Sequence, residues 1–121
     1  MKSKVLVIGA SEKLDRYANK AIRMLRDHDH EVVAIGSRPG TILDVEFGTD
    51  KIDWQDIDTV TLYLSSKYQS EYYTYLIDYI KPRRIIFNPG TENQELIDLA
   101  TKQNIACEEA CTLVLLSTGQ F

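Results

Sequence analysis

Cysteine is scarce in this chain. The two present, Cys107 and Cys111, are too few and too close to frame a disulfide-built scaffold, and a reducing compartment is expected. Glycine and proline number only six and three, which excludes a collagen-like or low-complexity chain. Long hydrophobic runs are missing as well: stretches such as Leu113-Val114-Leu115-Leu116 fall far short of a bilayer span. Met1 to Lys4 lead straight into strand formers, without the apolar stretch and small-residue cleavage site of a secretion signal, so a soluble cytoplasmic protein is expected. Nor is there an excess of base. Fourteen Lys and Arg against eighteen acids leave a net charge of −4, which argues against nucleic-acid partners and leaves room only for a local basic pocket. What remains is globular material, 44% hydrophobic and 26% charged in 121 residues, enough for one core and too short for two. Residues 1–121 are therefore read as a single domain.

The chain alternates between two periodicities. Val5-Leu6-Val7-Ile8, Val32-Val33-Ala34-Ile35, Thr59 to Leu64, Arg84-Ile85-Ile86-Phe87 and Ile105-Ala106-Cys107 read as strands, the first two continuous enough to be buried on both faces. Between them, Ala18, Ala21, Ile22 and Leu25 share one helical face, with Asp15 expected to cap that helix. Residues 68–80 read as a second helix stopped by Pro82, and 92–103 as a third, while 112–117 form a closing helical turn. Residues 37–57 look mostly irregular, with a brief strand at Val45 to Phe47. The pattern predicts an α/β, Rossmann-like, doubly wound fold: a mainly parallel five-stranded sheet with helices on both faces. Ligands of such sheets bind beyond the carboxyl ends of the strands, here 9–19, 36–41, 64–67 and 88–92.

Two of those segments carry chemistry. Gly9-Ala10-Ser11 is a tight turn with a hydroxyl, and the helix after it aims free N–H groups at the turn, a setting that favours pyrophosphate. The three-glycine dinucleotide fingerprint is absent, and a turn needed only for topology is the plainer reading. After the second strand, where NAD-binding domains place an acid, the chain has Gly36-Ser37-Arg38. A hydroxyl and a guanidinium suit a phosphate esterified to ribose, as in coenzyme A or NADP, and disfavour NAD; an exposed loop arginine is the alternative.

Val7-Ile8-Gly9-Ala10-Ser11, Asp15-Arg16-Tyr17 with Asn19, Arg38-Pro39-Gly40 with Ile42, and Asn88-Pro89-Gly90-Thr91-Glu92 occur in that order along essentially the whole chain. In these motifs the sequence resembles the stand-alone CoA-binding domain family, itself similar to the N-terminal nucleotide-binding domain of the succinate–CoA ligase alpha-subunit. The resemblance implies that coenzyme A lies across the strand ends. Gly9, Ala10, Ser11, Arg16, Tyr17 and Asn19 would line the phosphate side, and Gly36, Ser37 and Arg38 would meet the adenosine-end phosphate. Ser65 would border the adenine and pantetheine path, while Asn88, Pro89, Gly90 and Glu92 would close the far side. The chain departs from the family pattern at Gly36-Ser37, where Asn-Pro is common, and at Asp27-His28-Asp29-His30, where a glycine usually ends the first helix.

Other residues are read more plainly. His28 and His30 lack a third ligand nearby and are expected to be solvated loop histidines, so no metal is expected. Cys107 and Cys111, with Glu108 and Glu109 between them, read as buried small hydrophobes. Tyr68, Tyr72, Tyr75 and Tyr79 follow a helical stripe, read either as a homodimer surface or as an amphipathic cover. With no catalytic constellation at the strand ends, the expected function is non-catalytic binding of CoA or acyl-CoA by a sensor, carrier or regulatory module. The alternatives are a small NADP-linked reductase, with Tyr63, Tyr17 or Lys67 as proton donor, and an interaction module with a vestigial cleft.

Overall fold

Every residue of β1 (Lys4–Ala10) between Val5 and Ile8 is apolar because both faces of this strand are covered. In the computed structural model, which describes residues 2–121, β1 pairs in parallel with β2 (Glu31–Gly36) on one side. On its other side it pairs in parallel with β5 (Thr59–Leu62). The sheet continues in parallel through β6 (Arg84–Phe87) to β7 (Ala106–Glu109), giving five strands in the order β2-β1-β5-β6-β7. A short antiparallel hairpin, β3 (Gly40–Ile42) with β4 (Val45–Phe47), fills part of the stretch expected to be irregular.

Alternate side chains of β1 enter two separate cores. Val5 and Val7 pack with Ala18, Ile22 and Leu25 of α1 (Tyr17–Asp27), with Leu116 of α3 (Thr112–Ser117), and with Ile42, Val45 and Phe47 of the hairpin. Leu6 and Ile8 face the other way, toward Leu76, Ile80, and Leu96 and Ala100 of α2 (Gln94–Lys102). The fold is thus α/β and Rossmann-like, with helices on both faces. Among the described residues no helix is long and apolar enough to cross a membrane.

Several local expectations are corrected. Asp15 does not cap α1: the residue before the helix is Arg16, with extended backbone and no side-chain cap, and Asp15 stays exposed in the preceding loop. Residues 68–80 are not one α-helix. The chain makes 3-10 turns at Ser66–Tyr68 and Ser70–Tyr72 and then a π-helix at Tyr75–Ile80. The cause is Gln69, which is buried and donates its amide to the Leu64 and Thr91 carbonyls, both at 2.8 Å, holding the backbone off a helical path. The wider π turn, closed by the Lys81 N–H on the Leu76 carbonyl, then brings Tyr75 and Ile80 to the same buried side.

Candidate functional site

The five parallel strands end on one edge, and the strand order reverses between β1 and β5, because the chain builds β2 on one side of β1 and β5 on the other. Such a switch point is where open α/β sheets hold ligands. Gly9 makes the turn there. Its φ of +105° belongs to the region that glycine alone enters freely, and a Cβ would lie 2.6 Å from the Tyr63 carbonyl oxygen. The pairing register of β1 against β2 shifts between Ile8 and Ala10, a bulge that re-aims the following loop across the strand ends. Gly36 is equally constrained, since a Cβ would stand 2.6 Å from the Ala10 carbonyl oxygen. Any side chain at this position would force these two strand ends apart.

The sequence-predicted residues all come to this edge, in two different roles. Ser37, Arg38, Ser65, Pro89, Gly90 and Glu92 are exposed, as are Arg16 and Tyr17, so the edge is an open rim. Ser11 is half-buried and its hydroxyl accepts the Lys13 N–H at 3.2 Å. Asn19 and Asn88 are buried instead and are built into the scaffold. The Asn19 amide donates to the Ser11 carbonyl at 2.9 Å, while its oxygen accepts from Arg23 at 2.8 Å, which ties the turn to α1. The Asn88 amide donates to Thr61 Oγ1 and the Leu62 carbonyl, and its oxygen accepts the Thr112 N–H at 2.8 Å. In both asparagines the amide and the oxygen are each engaged by the protein, and in Asn88 both amide hydrogens are, so they position the rim rather than reach past it. Gln69 does the same between the β5 and β6 exits and was not legible as a site residue, being one polar side chain in a tyrosine-rich run.

Charge is distributed unevenly here. Lys13, Arg16 and Arg38 are exposed, and among the described residues none of them takes part in the ion pairs, which are Lys4–Glu31, Arg26–Asp44, Arg83–Asp58 and Arg84–Glu108. Two acids of the rim are committed to the backbone, Glu92 accepting the Gly90 N–H and Glu12 the Thr41 N–H, each at 2.9 Å, while Asp15 stays exposed between Lys13 and Arg16. Beside these cations Leu14 and Tyr17 are 67% and 68% exposed, an apolar surface available to a flat or aliphatic group. The rim therefore offers cations, a close-approach backbone turn and apolar contact, the combination that a phosphorylated nucleotide with an aliphatic arm requires.

Tyr63 does not act at this rim. Its side chain packs into the core under α1, and its hydroxyl is buried beside Thr112 and Thr61 without a hydrogen bond of ordinary geometry. Burial pushes its pKa up to about 12. The remaining candidates lie elsewhere or differ from expectation. His30 is buried at the amino end of β2, not solvated, and His28 is half-buried. Among the described residues no group of His, Cys, Asp or Glu is arranged to hold a metal. Cys107 and Cys111 are free and only partly buried, so neither is the buried apolar filler expected, and burial holds the Cys107 thiol above its ordinary pKa. The tyrosine stripe is broken: Tyr68 and Tyr79 are exposed, but the π turn sends Tyr75 inward, where its hydroxyl donates to the Ile52 carbonyl. Of the four tyrosines expected on one face, Tyr68 and Tyr79 are exposed, Tyr72 is half-buried and Tyr75 alone is buried.

Comparisons with known proteins agree with this fold. One solved relative, the crystal structure of an uncharacterized protein, is 38% identical across 100% of this chain and 99% of its own, with a TM-score of 0.96. A hypothetical protein from Pyrococcus horikoshii, 24% identical over 97% of this chain and 83% of its own, shares the fold at a TM-score of 0.85. So does a Thermus thermophilus protein, 14% identical over 99% of this chain and 91% of its own, also at 0.85. Curated proteins give no match. The family described as CoA binding domain matches residues 3–117, and this chain belongs to it.

Proposed function

We propose that residues 1–121 form one cytoplasmic unit that binds CoA or acyl-CoA at the carboxyl edge without transforming it, as a sensor, carrier or regulatory module. The observation that carries this reading is the set of three cations, Lys13, Arg16 and Arg38, left outside the protein's own ion pairs around the Gly9 turn. Pyrophosphate would lie against that turn between Arg16 and Lys13, the ribose phosphate near Ser37 and Arg38, and the pantetheine arm past Ser65 toward Pro89 and Gly90. Membership of the CoA binding domain family supports the choice of ligand. The buried hydroxyl of Tyr63 removes one of the three proton donors open to the reductase reading and leaves it Tyr17 and Lys67, both exposed.

Thermal unfolding tests the ligand: CoA at a hundred times its dissociation constant adds ~2.7 kcal/mol to stability, and no shift at millimolar CoA overturns the reading. A shift with NADP and none with CoA selects the reductase. CoA against dephospho-CoA, in wild type and Arg38→Ala, tests the pose. A charge-assisted contact of ~1.5–3 kcal/mol is lost on either change and the two losses do not add, because both remove one interaction.

A further inference from the structure

Glu12 is the one acid of the rim that joins two of its connections. It belongs to the loop between β1 and α1, yet its Oε2 accepts the main-chain N–H of Thr41 in β3 at 2.9 Å, across 29 residues of sequence. The carboxylate reaches that far by lying on Gly40: a Cβ there would come within 2.7 Å of Glu12 Cγ and 2.8 Å of its carboxyl carbon. Glu92, by contrast, bonds only to Gly90, two residues away. Glu12 is exposed, yet its bond goes to a backbone amide and not to a cation. An anionic oxygen held on a main-chain N–H beside Gly40, on the same rim as Lys13, Arg16 and Arg38, has the chemistry of a bound phosphate oxygen.

We propose that Glu12 is an internal anion that latches the β1–α1 loop to β3 and must be displaced when a phosphate group of the ligand enters. The proposal rests on the reading of this edge as a CoA site. Two effects follow. The entering phosphate competes with Glu12 for the Thr41 N–H, and it meets a like charge until the carboxylate swings out. Binding-competent chains are then only those with the latch open, which lowers the apparent affinity in proportion to their population. The movement also ties 37–41, the segment carrying Arg38, to occupancy of the site.

The test uses the full chain as wild type, Glu12→Ala and Glu12→Gln, with CoA and pantetheine as probes, by calorimetry and by amide NMR of Thr41. Glu12 is exposed, so both variants are expected to fold. Glu12→Ala is expected to bind CoA about fivefold more tightly than wild type, the effect of removing one like charge about 4 Å from the phosphate in water. Glu12→Gln falls between them, because its amide oxygen still accepts the Thr41 N–H but carries no charge. Pantetheine, which lacks the phosphates, binds all three alike. In wild type the Thr41 amide resonance moves on adding CoA, and its hydrogen exchange is faster in Glu12→Ala. If CoA binds while Thr41 stays silent, or if Glu12→Ala binds CoA no better than wild type, the latch is wrong and the CoA site stands. If none of the three chains binds CoA at millimolar concentration, the site itself is wrong and the latch falls with it.

Discussion

Asn88 and Tyr63 place polar atoms in the same buried layer beneath the carboxyl edge, next to the same two threonines. Asn88 is 2% exposed and joins β6 to Thr61 and Leu62 of β5 and to the first residue of α3, while the Thr61 and Thr112 hydroxyls close the circuit at 2.8 Å. Truncating it leaves the Thr112 N–H without an acceptor in a site closed to water, which costs roughly 1–3 kcal/mol. The Tyr63 hydroxyl has no such partner, so its removal exposes nothing and relieves a desolvated group. Asn88→Ala is therefore expected to lower stability to urea by ~1–3 kcal/mol, whereas Tyr63→Phe leaves it unchanged or slightly raised. Equal losses in the two variants would show that Tyr63 is held by the network after all. The same contrast explains why Asn88 is a poor ligand group despite its place in a ligand-facing motif: every polar atom of its side chain is already engaged.

Among the elements, α2 and the segment at 66–80 show how far the sequence could be read. Asn93 ends its own loop and starts α2, its oxygen accepting the Leu96 N–H at 3.2 Å as an N-cap. Its amide also donates to Gln69 Oε1 at 3.0 Å and to the Tyr73 hydroxyl at 2.8 Å, which fastens the 66–80 segment to the β6 exit. Asn93→Ala is expected to cost ~1–2 kcal/mol, and Asn93→Asp to recover the cap but not the two donated bonds. Urea denaturation separates the two shares, and an Asp variant as stable as wild type would mean that the donated bonds carry nothing. The inner strands were legible because their apolar and β-branched runs answer to burial on both faces, and the Gly9 and Arg38 turns because backbone sterics and charge chemistry are local. The broken helix was not. Periodicity reports which side chains are apolar, but a buried glutamine that bonds to carbonyls 5 and 22 residues away is a tertiary event with no local signature. Once Gln69 diverts the chain, the tyrosine spacing no longer maps onto one face, and Tyr75 goes inward. The engagement of Asn19 and Asn88 within the scaffold was hidden for the same reason: a motif marks where a residue stands, and only its neighbours decide which of its polar atoms are already bonded.

Taken as a whole, the molecule treats its two sheet edges differently. Toward the amino ends of the strands charges are paired, Lys4 with Glu31 and Arg83 with Asp58, and Arg84 is engaged by Thr59, Glu108 and the Phe121 carbonyl. His30 belongs to this closed edge. Its Nδ1 accepts the Ser3 N–H at 3.0 Å, and its ring stands edge-on to Phe121 with centroids 5.0 Å apart, while the Arg84 guanidinium covers the Phe121 ring at 4.6 Å. Burial, with the positive charge of Lys2 and the neighbouring His28, lowers the His30 pKa from its ordinary 6.5. Between 6.5 and that lower value the unfolded chain binds a proton that the folded chain refuses, so stability is complete above about pH 6.5 and declines as pH falls through the window. Asp58, hydrogen-bonded by Arg83 and Thr59, has its pKa lowered from 3.8, and its contribution is lost by the same logic only below that value. Urea midpoints measured from pH 8 to pH 3 are thus expected to fall in two stages. The variant His30→Asn keeps an acceptor for the Ser3 N–H but does not titrate, so it should lose the upper stage and keep the lower one. An unchanged upper stage in that variant would move the proton elsewhere and leave His30 a packing residue.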